Sequence, residues 1–348
     1  MMKPLSNKYY ICLKPDQEPI PWYPPDPHPL DWVDYTYFGK VFEAMEKHLD
    51  RDDLIFYFTW DCVDELPSYG ENVVAVVVGD EWSRIPSYFH KVRAVFACLT
   101  LRPILGCNPL VRPSYLNFLA LIQFLRIWVI RLPKLINYWV HKSKSLRGTQ
   151  SSLYDIPQGY GRQLELPIKD MEARKYDVFF AGSVVHNSHA QWSLKRWIGT
   201  PKSISRTKMI SSLQRIKEKH PEMNIEIATT SNFGASMSAD ESLYSQRMMD
   251  TKISVVPRGT SFETIRYYEA MRYGCIVITE ALPDRWFYEG SPAIQIKDWS
   301  ELEGILENLL NNPHLVREKH QQALNWWNTK ASEAAIGAYM AEKLNSDL

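Results

Sequence analysis

Two apolar periods alternate along the chain. Short β-branched and aromatic runs at residues 53–59, 72–78 and 93–99 predict strands. The middle run is apolar at every position from Val73 to Val78, as a strand covered on both faces must be. Residues 38–49 carry the longer period of a helix. A second series follows, with strands at 176–181, 223–229, 253–257 and 275–279 and helices at 207–219, 261–273, 299–311, 314–329 and 332–344. Such alternation predicts parallel sheets with helices packed on them, an α/β chain. The polar stretch from Asp155 to Asp170, with Gly159 and Gly161 in it, separates the two series. Two doubly wound domains are therefore expected, at 1–156 and 171–330, with a linker at 157–170 and a last helix at 331–348. Residues 15–29 hold seven prolines and read as an extended surface loop.

Composition narrows the classes. A chain of 348 residues is long enough for two hydrophobic cores, and 45% hydrophobic with 23% charged residues is a globular balance. The formal net charge is zero, which argues against nucleic acid as a partner, since that needs a basic excess. The charge is unevenly spread, however. Residues 1–81 carry 6 basic and 16 acidic side chains, whereas residues 82–154 carry 11 basic ones and no acid. Within that block, residues 115–140 are rich in Leu, Ile, Phe, Trp and Tyr and are punctuated by Arg126, Arg131 and Lys134. Only 13 residues separate Arg112 from Arg126, too few to span a bilayer, for which about 20 are needed. An amphipathic helix of this charge suits an anionic membrane surface, expected to lie along residues 112–147. A core helix with its arginines turned outward is the competing reading. Five cysteines without Cys-x-x-Cys spacing, and an N-terminus lacking the apolar stretch of a signal peptide, give the expectation of a cytoplasmic protein, peripheral on the inner face of the membrane.

The densest chemistry lies between Ile253 and Ile278. A strand ends at Pro257, a loop carries Arg258 and Gly259, and Thr260 or Ser261 is expected to cap the next helix. Free backbone N–H groups, the positive end of a helix dipole and a guanidinium together favour an anion such as a diphosphate. Glu269, two turns into that helix, is placed to accept from ribose hydroxyls, and Gly274 ends the helix. On spacing alone, an ordinary strand–helix–strand unit with Arg258 paired to Glu269 fits equally.

These residues resemble the C-terminal nucleotide-sugar motif of exostosin-like glycosyltransferases. Arg174-Lys-Tyr-Asp-Val-Phe-Phe-Ala-Gly-Ser183, preceded by Ile156-Pro-Gln-Gly-Tyr160, resembles the entry to that family's second domain, so that the likeness covers about residues 155–300. The resemblance implies the GT-B fold, two Rossmann-like doubly wound domains facing across a cleft, with the last helix packed back on the first. It also implies metal-free transfer of a hexose from a nucleotide-diphosphate sugar, most readily a UDP-sugar, with no cofactor beyond that co-substrate. The acceptor would be a saccharide or a polyprenyl-diphosphate-linked one, as in polysaccharide or glycolipid assembly. By analogy Arg258 and Gly259 contact the diphosphate, Thr260 and Ser261 supply phosphate hydrogen bonds, Glu269 holds the ribose, and Gly182 and Ser183 let backbone approach the donor. Arg206 and Lys208 are weaker candidates for a second phosphate contact.

Retaining enzymes of this fold carry two glutamates eight positions apart. Eight before Glu269 stands Ser261, and Glu263 is out of that register. The mismatch favours inversion, which needs a general base on the acceptor. Asp61, Asp80 and Glu81 follow strands of the first domain and are the candidates, Asp80 and Glu81 foremost because they adjoin each other and Trp82; His28 and His90 are outside candidates. A retaining transferase using Glu263, and a non-catalytic nucleotide-sugar-binding protein, are the alternatives. Asp50-Arg-Asp52 precedes a strand instead of following one, and His186 and His189 have no third ligand nearby, so no metal site is expected.

Overall fold

The computed structural model describes residues 6–15, 17–26, 36–60, 62–79, 85–98, 103–106, 109–144, 153–161, 163–183, 199–230 and 241–346. Among these, two separate α/β sheets stand in tandem. The first contains β1 (Lys8–Cys12), β2 (Ile20–Trp22), β3 (Ile55–Trp60), β4 (Gly70–Val78), β5 (Val92–Ala97) and β6 (Leu153–Asp155), in the order β2-β1-β3-β4-β5-β6. All neighbours run parallel except β2, which pairs antiparallel with β1. Edge strand β2 lies inside the proline-rich stretch expected to be loop. An edge tolerates Pro21 because a missing N–H there breaks no second ladder.

The second sheet contains β7 (Tyr176–Ser183), β8 (Ile225–Thr230), β9 (Thr251–Val256), β10 (Ile276–Thr279) and β11 (Ile294–Gln295), all parallel, in the order β11-β10-β9-β7-β8. From β7 the chain adds β8 on one side, then returns past β7 to add β9, β10 and β11 on the other. The winding reverses between β7 and β9. In open α/β sheets that reversal opens a crevice at the carboxyl ends of the strands. In the first sheet β2 joins β1 on one side as an antiparallel hairpin, and β3 to β6 follow on the other side in chain order.

The first sheet is covered by α1 (Thr36–Glu46) on one face, where Phe38, Val41 and Phe42 meet Phe56, Phe58, Val74 and Val76. On the other face Leu135 and Tyr138 of α2 (Tyr115–Lys144) pack beside Tyr57, Val73, Ala75 and Val77. The second sheet carries α3 (Pro201–Lys219) and α6 (Leu302–Leu310) on one face, through Met209, Leu213, Leu302 and Leu306. Its other face meets α4 (Glu241–Met249), α5 (Ile265–Arg272) and α7 (Pro313–Trp326) through Met248, Tyr268, Met271 and Trp326. Helix α3 starts at Pro201, six residues before expected, because Thr200 and Ser203 form a reciprocal cap and Pro201 fits the first turn.

The last helix, α8 (Glu333–Asn345), lies against α1 of the first sheet. Gly337 permits the approach, since a Cβ there would stand 2.6 Å from the Met45 amide nitrogen and 2.8 Å from the Val41 carbonyl oxygen. A single apolar cluster thus runs from Phe42 and Phe58 through Tyr37, Tyr160 and Ile336 to Tyr267 and Val277, joining both sheets. No helix among the described residues is long and apolar enough to cross a membrane.

Candidate functional site

The carboxyl ends of the two sheets meet. Arg285, just beyond β10, donates from Nη1 to both carboxylate oxygens of Asp155 at 3.2 and 3.3 Å, and Asp155 ends β6 of the first sheet. The Trp286 indole N–H donates to the Asp155 carbonyl at 2.9 Å. Beside this bridge a cleft of about 440 Å³, counting its solvent-open mouth, lies between α2 and the turn from β9 to α5. Gln123 and Ile127 of α2 form one wall, and Arg258, Thr260, Phe262, Glu263 and Arg285 form the other.

Arg258 is buried at 5% exposure yet lines the cleft. Its backbone N–H donates to Glu280 at 2.8 Å, which fixes the turn to the end of β10. The guanidinium lies over the Phe262 ring at 4.1 Å and donates from Nη2 to Gln123 at 3.2 Å and to the Thr260 carbonyl at 3.3 Å. Its Nε is buried without a hydrogen-bond partner. Burial pushes the guanidinium pKa down, and the Glu280 carboxylate opposes that. A buried donor of a charged group without an acceptor is costly.

Behind the turn, Arg206 is buried and donates from Nε to the Arg258 carbonyl at 3.3 Å. It holds the loop from the rear and does not line the cleft. Glu280 also accepts from Ser205 at 2.9 Å, and burial pushes its carboxyl pKa up. Lys208 faces Asp298 at 3.6 Å, partly exposed.

The turn differs from its expected form. Helix α5 begins at Ile265, with Thr264 in the extended capping position, instead of at Thr260 or Ser261. Ser261 spends its hydroxyl locally, accepting from the Glu263 N–H at 3.2 Å and donating to the Glu263 carbonyl at 3.0 Å, so the chain stays a turn. Thr264 Oγ1 makes no capping bond and is buried without a partner. Thr260 contributes its carbonyl, which accepts from Gln123 at 3.0 Å. Gly259 has room for a side chain, its nearest non-neighbour atoms lying 3.5 Å from a built Cβ. At Gly182 a Cβ would stand 2.9 Å from Arg266 Nη2, so a glycine at the end of β7 lets that guanidinium come close. Ser183 closes β7, and its side chain lies outside the described residues.

Glu269 does not pair with Arg258. It is buried on α5, accepts from the Tyr244 hydroxyl at 2.6 Å, and is pushed up in pKa by burial against the pull of Tyr244 and Arg266. Glu263 is the carboxyl that faces the cleft. Burial pushes its pKa up to about 7, opposed by Arg285 at 3.8 Å and reinforced by Asp155. Arg285 is shared between Glu263 and the half-buried Asp155, so its charge offsets only part of the cost of burying Glu263. Arg285, Gln123, Glu280 and Asp155 were not singled out from the sequence. They come from three separate segments, α2, the end of β6 and the stretch just after β10, which only the tertiary fold gathers.

Asp61, Asp80 and Glu81 lie outside the described residues, as do His28, His186 and His189. His90 stacks on His141 at 3.9 Å, away from the cleft, and burial followed by the His141 charge pushes its pKa down. Asp50 precedes β3, at the end of the sheet opposite the cleft. Among the described residues the cluster with metal-ligand spacing is His220, Glu303 and Glu307, at the far end of α3.

No family model and no curated protein matches the chain. Among solved structures it is similar to the GtfA/B complex, with a TM-score of 0.40, 13% identity, and coverage of 79% of this chain and 57% of that one. It is similar to TarM of S. aureus bound to fondaparinux, α-GlcNAc-glycerol and UDP, at TM-score 0.43 and 11% identity over 90% of this chain and 59% of that one. A third is sucrose-phosphate synthase from Thermosynechococcus elongatus, at 0.43 and 12% identity over 92% and 82%. The chain spans 57% and 59% of the length of the first two.

Proposed function

We propose that the chain is a glycosyltransferase of the GT-B kind, exostosin-like, that moves a sugar from a nucleotide-diphosphate donor to a saccharide or lipid-linked acceptor. The observation that carries this reading is Arg258. It is a buried guanidinium with an unpartnered Nε, on a residue that follows β9 at the winding reversal of the second sheet and lines a cleft closed by α2. In this reading the donor diphosphate takes the unfilled donors of the turn, Arg258 stabilises the departing diphosphate, and no metal is required. Arg206 and Glu280 act through Arg258 by fixing its backbone. Arg266, beside Gly182, supplies a second cation at the mouth. Residues 1–156 would bind the acceptor and 171–330 the donor, with UDP-sugar the expected co-substrate. Inversion would draw its base from Asp80, Glu81 or Asp61.

A second reading is favoured by one observation. Glu263 lines the cleft with a pKa of about 7, a carboxyl poised to act as acid or base near neutrality. A retaining transferase using Glu263 would keep the donor's anomeric configuration in the product, which NMR of the product reads directly.

Titration calorimetry of the full chain against UDP, GDP and CMP and their sugars is the test. Binding of one nucleoside diphosphate, with transfer or slow hydrolysis of its sugar, is expected. Binding without turnover would leave a nucleotide-sugar-binding protein, and no binding at all would end the reading. Loss of transfer in Asp80→Asn, Glu81→Gln or Asp61→Asn, with donor binding intact, would identify the base.

A further inference from the structure

Helix α2 turns its apolar side outward. From Tyr115 to Trp139 a stripe runs at alternating spacings of three and four residues through Phe118, Ile122, Leu125, Val129, Leu132 and Ile136, all exposed, Val129 at 71% and Trp139 at 60%. The opposite side, with Ala120, Ile127 and Arg131, is buried. Thirty helical residues measure about 45 Å. The stripe covers about 36 Å of that, and an apolar face of such extent on a folded protein marks a docking surface.

The charge pattern says for what. Residues 82–154 hold 11 basic side chains and no acid. Among the described residues Asp64 accepts from Lys134 at 2.7 Å and Glu301 stands 3.9 Å from Arg112. A second copy of α2 would bring no acid to meet exposed Arg126 beside the stripe, since the helix carries none. The exposed apolar arc is also wider than a two-helix seam, because Trp128, Ile130 and Val140 flank the stripe. Aromatic, aliphatic and basic residues without acids match the boundary of an anionic bilayer, where Trp and Tyr sit at headgroup level and cations meet lipid phosphates.

We propose that α2 lies flat on an anionic lipid surface, with its stripe sunk into the acyl boundary. Gln123 and Ile127 of the same helix wall the cleft, so docking sets the cleft beside the lipid. If the transferase reading holds, a lipid-linked acceptor is the substrate class this placement serves; the docking itself does not depend on it.

The full chain is floated with phosphatidylcholine vesicles, with and without a one-third share of phosphatidylglycerol. Flotation with the anionic vesicles alone is expected, weakened by added salt. The exposed double variant Val129→Asp/Leu132→Asp should float ~10-fold less or worse while keeping its circular dichroism and melting temperature. Arg126→Glu, at the edge of the stripe, gives an independent reading and should weaken flotation without touching the apolar seam. Absence of flotation with anionic vesicles would overturn the proposal. So would a wild-type dimer in sedimentation velocity that the double variant splits, since the stripe would then serve a second copy. Nucleotide binding measured on the same samples keeps this outcome separate from the fate of the donor site.

Discussion

Two buried arginines occupy opposite ends of the second sheet, and their surroundings differ in kind. Arg174 sits where β7 and β9 begin. Its Nη1 donates to the Thr251 carbonyl at 2.6 Å, its Nη2 to Tyr273 at 2.5 Å, and its Nε to Lys169 at 3.1 Å. Every nitrogen of that guanidinium meets a backbone carbonyl, and the residue ties three segments together. Arg258 sits where β9 ends, equally buried, and leaves Nε without an acceptor beside a cleft. Burying a charge costs free energy at either site. At Arg174 carbonyls return that cost as structure; at Arg258 part of it is left unmet, and in the proposed reading a diphosphate meets it. Burial alone does not separate a structural cation from a binding one; an unfilled donor on a residue that also lines a cleft is the sharper sign.

That contrast can be broken by substitution. Arg174→Ala should have the largest effect, destabilising the fold by about 3–5 kcal/mol in a urea melt, because the carbonyls it joins lose their charged donor. Arg174→Lys should recover little, since one ammonium cannot reach three carbonyls. Nucleotide affinity of the folded fraction should be unchanged.

Glu263 gives the next largest effect. Its carboxyl has a folded pKa of about 7 against 4.5 in the unfolded chain, so the folded state holds the proton more tightly. The resulting stability is full below pH 4.5, is lost as pH rises through the folded value of about 7, and is level above it. The span corresponds to about 3 kcal/mol. Glu263→Gln should remove that component, so the variant gains relative to wild type at pH 8 and matches it near pH 4. Urea melts across that range provide the check, and parallel curves would contradict the assignment.

Arg258→Ala should reverse the pattern of Arg174→Ala. Stability should fall by only about 1–2 kcal/mol, because Gln123 still reaches the Thr260 carbonyl, while calorimetric affinity for the nucleoside diphosphate drops roughly 10–100-fold. Gly182→Ala should be the mildest. Its added Cβ meets the movable end of Arg266, so stability should stay within about 0.5 kcal/mol, with a few-fold change in nucleotide affinity.

Much of this architecture was legible in the sequence. The Val73–Val78 run declared a strand covered on both faces, and β4 is that strand. The turn after β9 was legible because strand, Pro257, Arg258 and a following helix are adjacent in sequence. Strands β1, β2, β6 and β11 were missed, being pieces of two to five residues, too short to show a period of their own. The start of α5 was misread because Ser261 bonds within the turn, an exchange between two atoms that composition does not reveal. Glu269 was read as a ribose ligand by its place on the helix. Its partner Tyr244 lies on α4, a helix the periodicity did not mark. Arg285 and Asp155 were invisible for the same reason: their meeting depends on how the two sheets face each other.

The most direct test is a crystal structure of the chain grown with UDP. The account expects a diphosphate oxygen within hydrogen-bonding distance of Arg258 Nε, in the cleft between α2 and the turn ahead of α5. Nucleotide bound elsewhere, or an Arg258 side chain still meeting only Gln123 and Thr260 with the cleft empty, would contradict it.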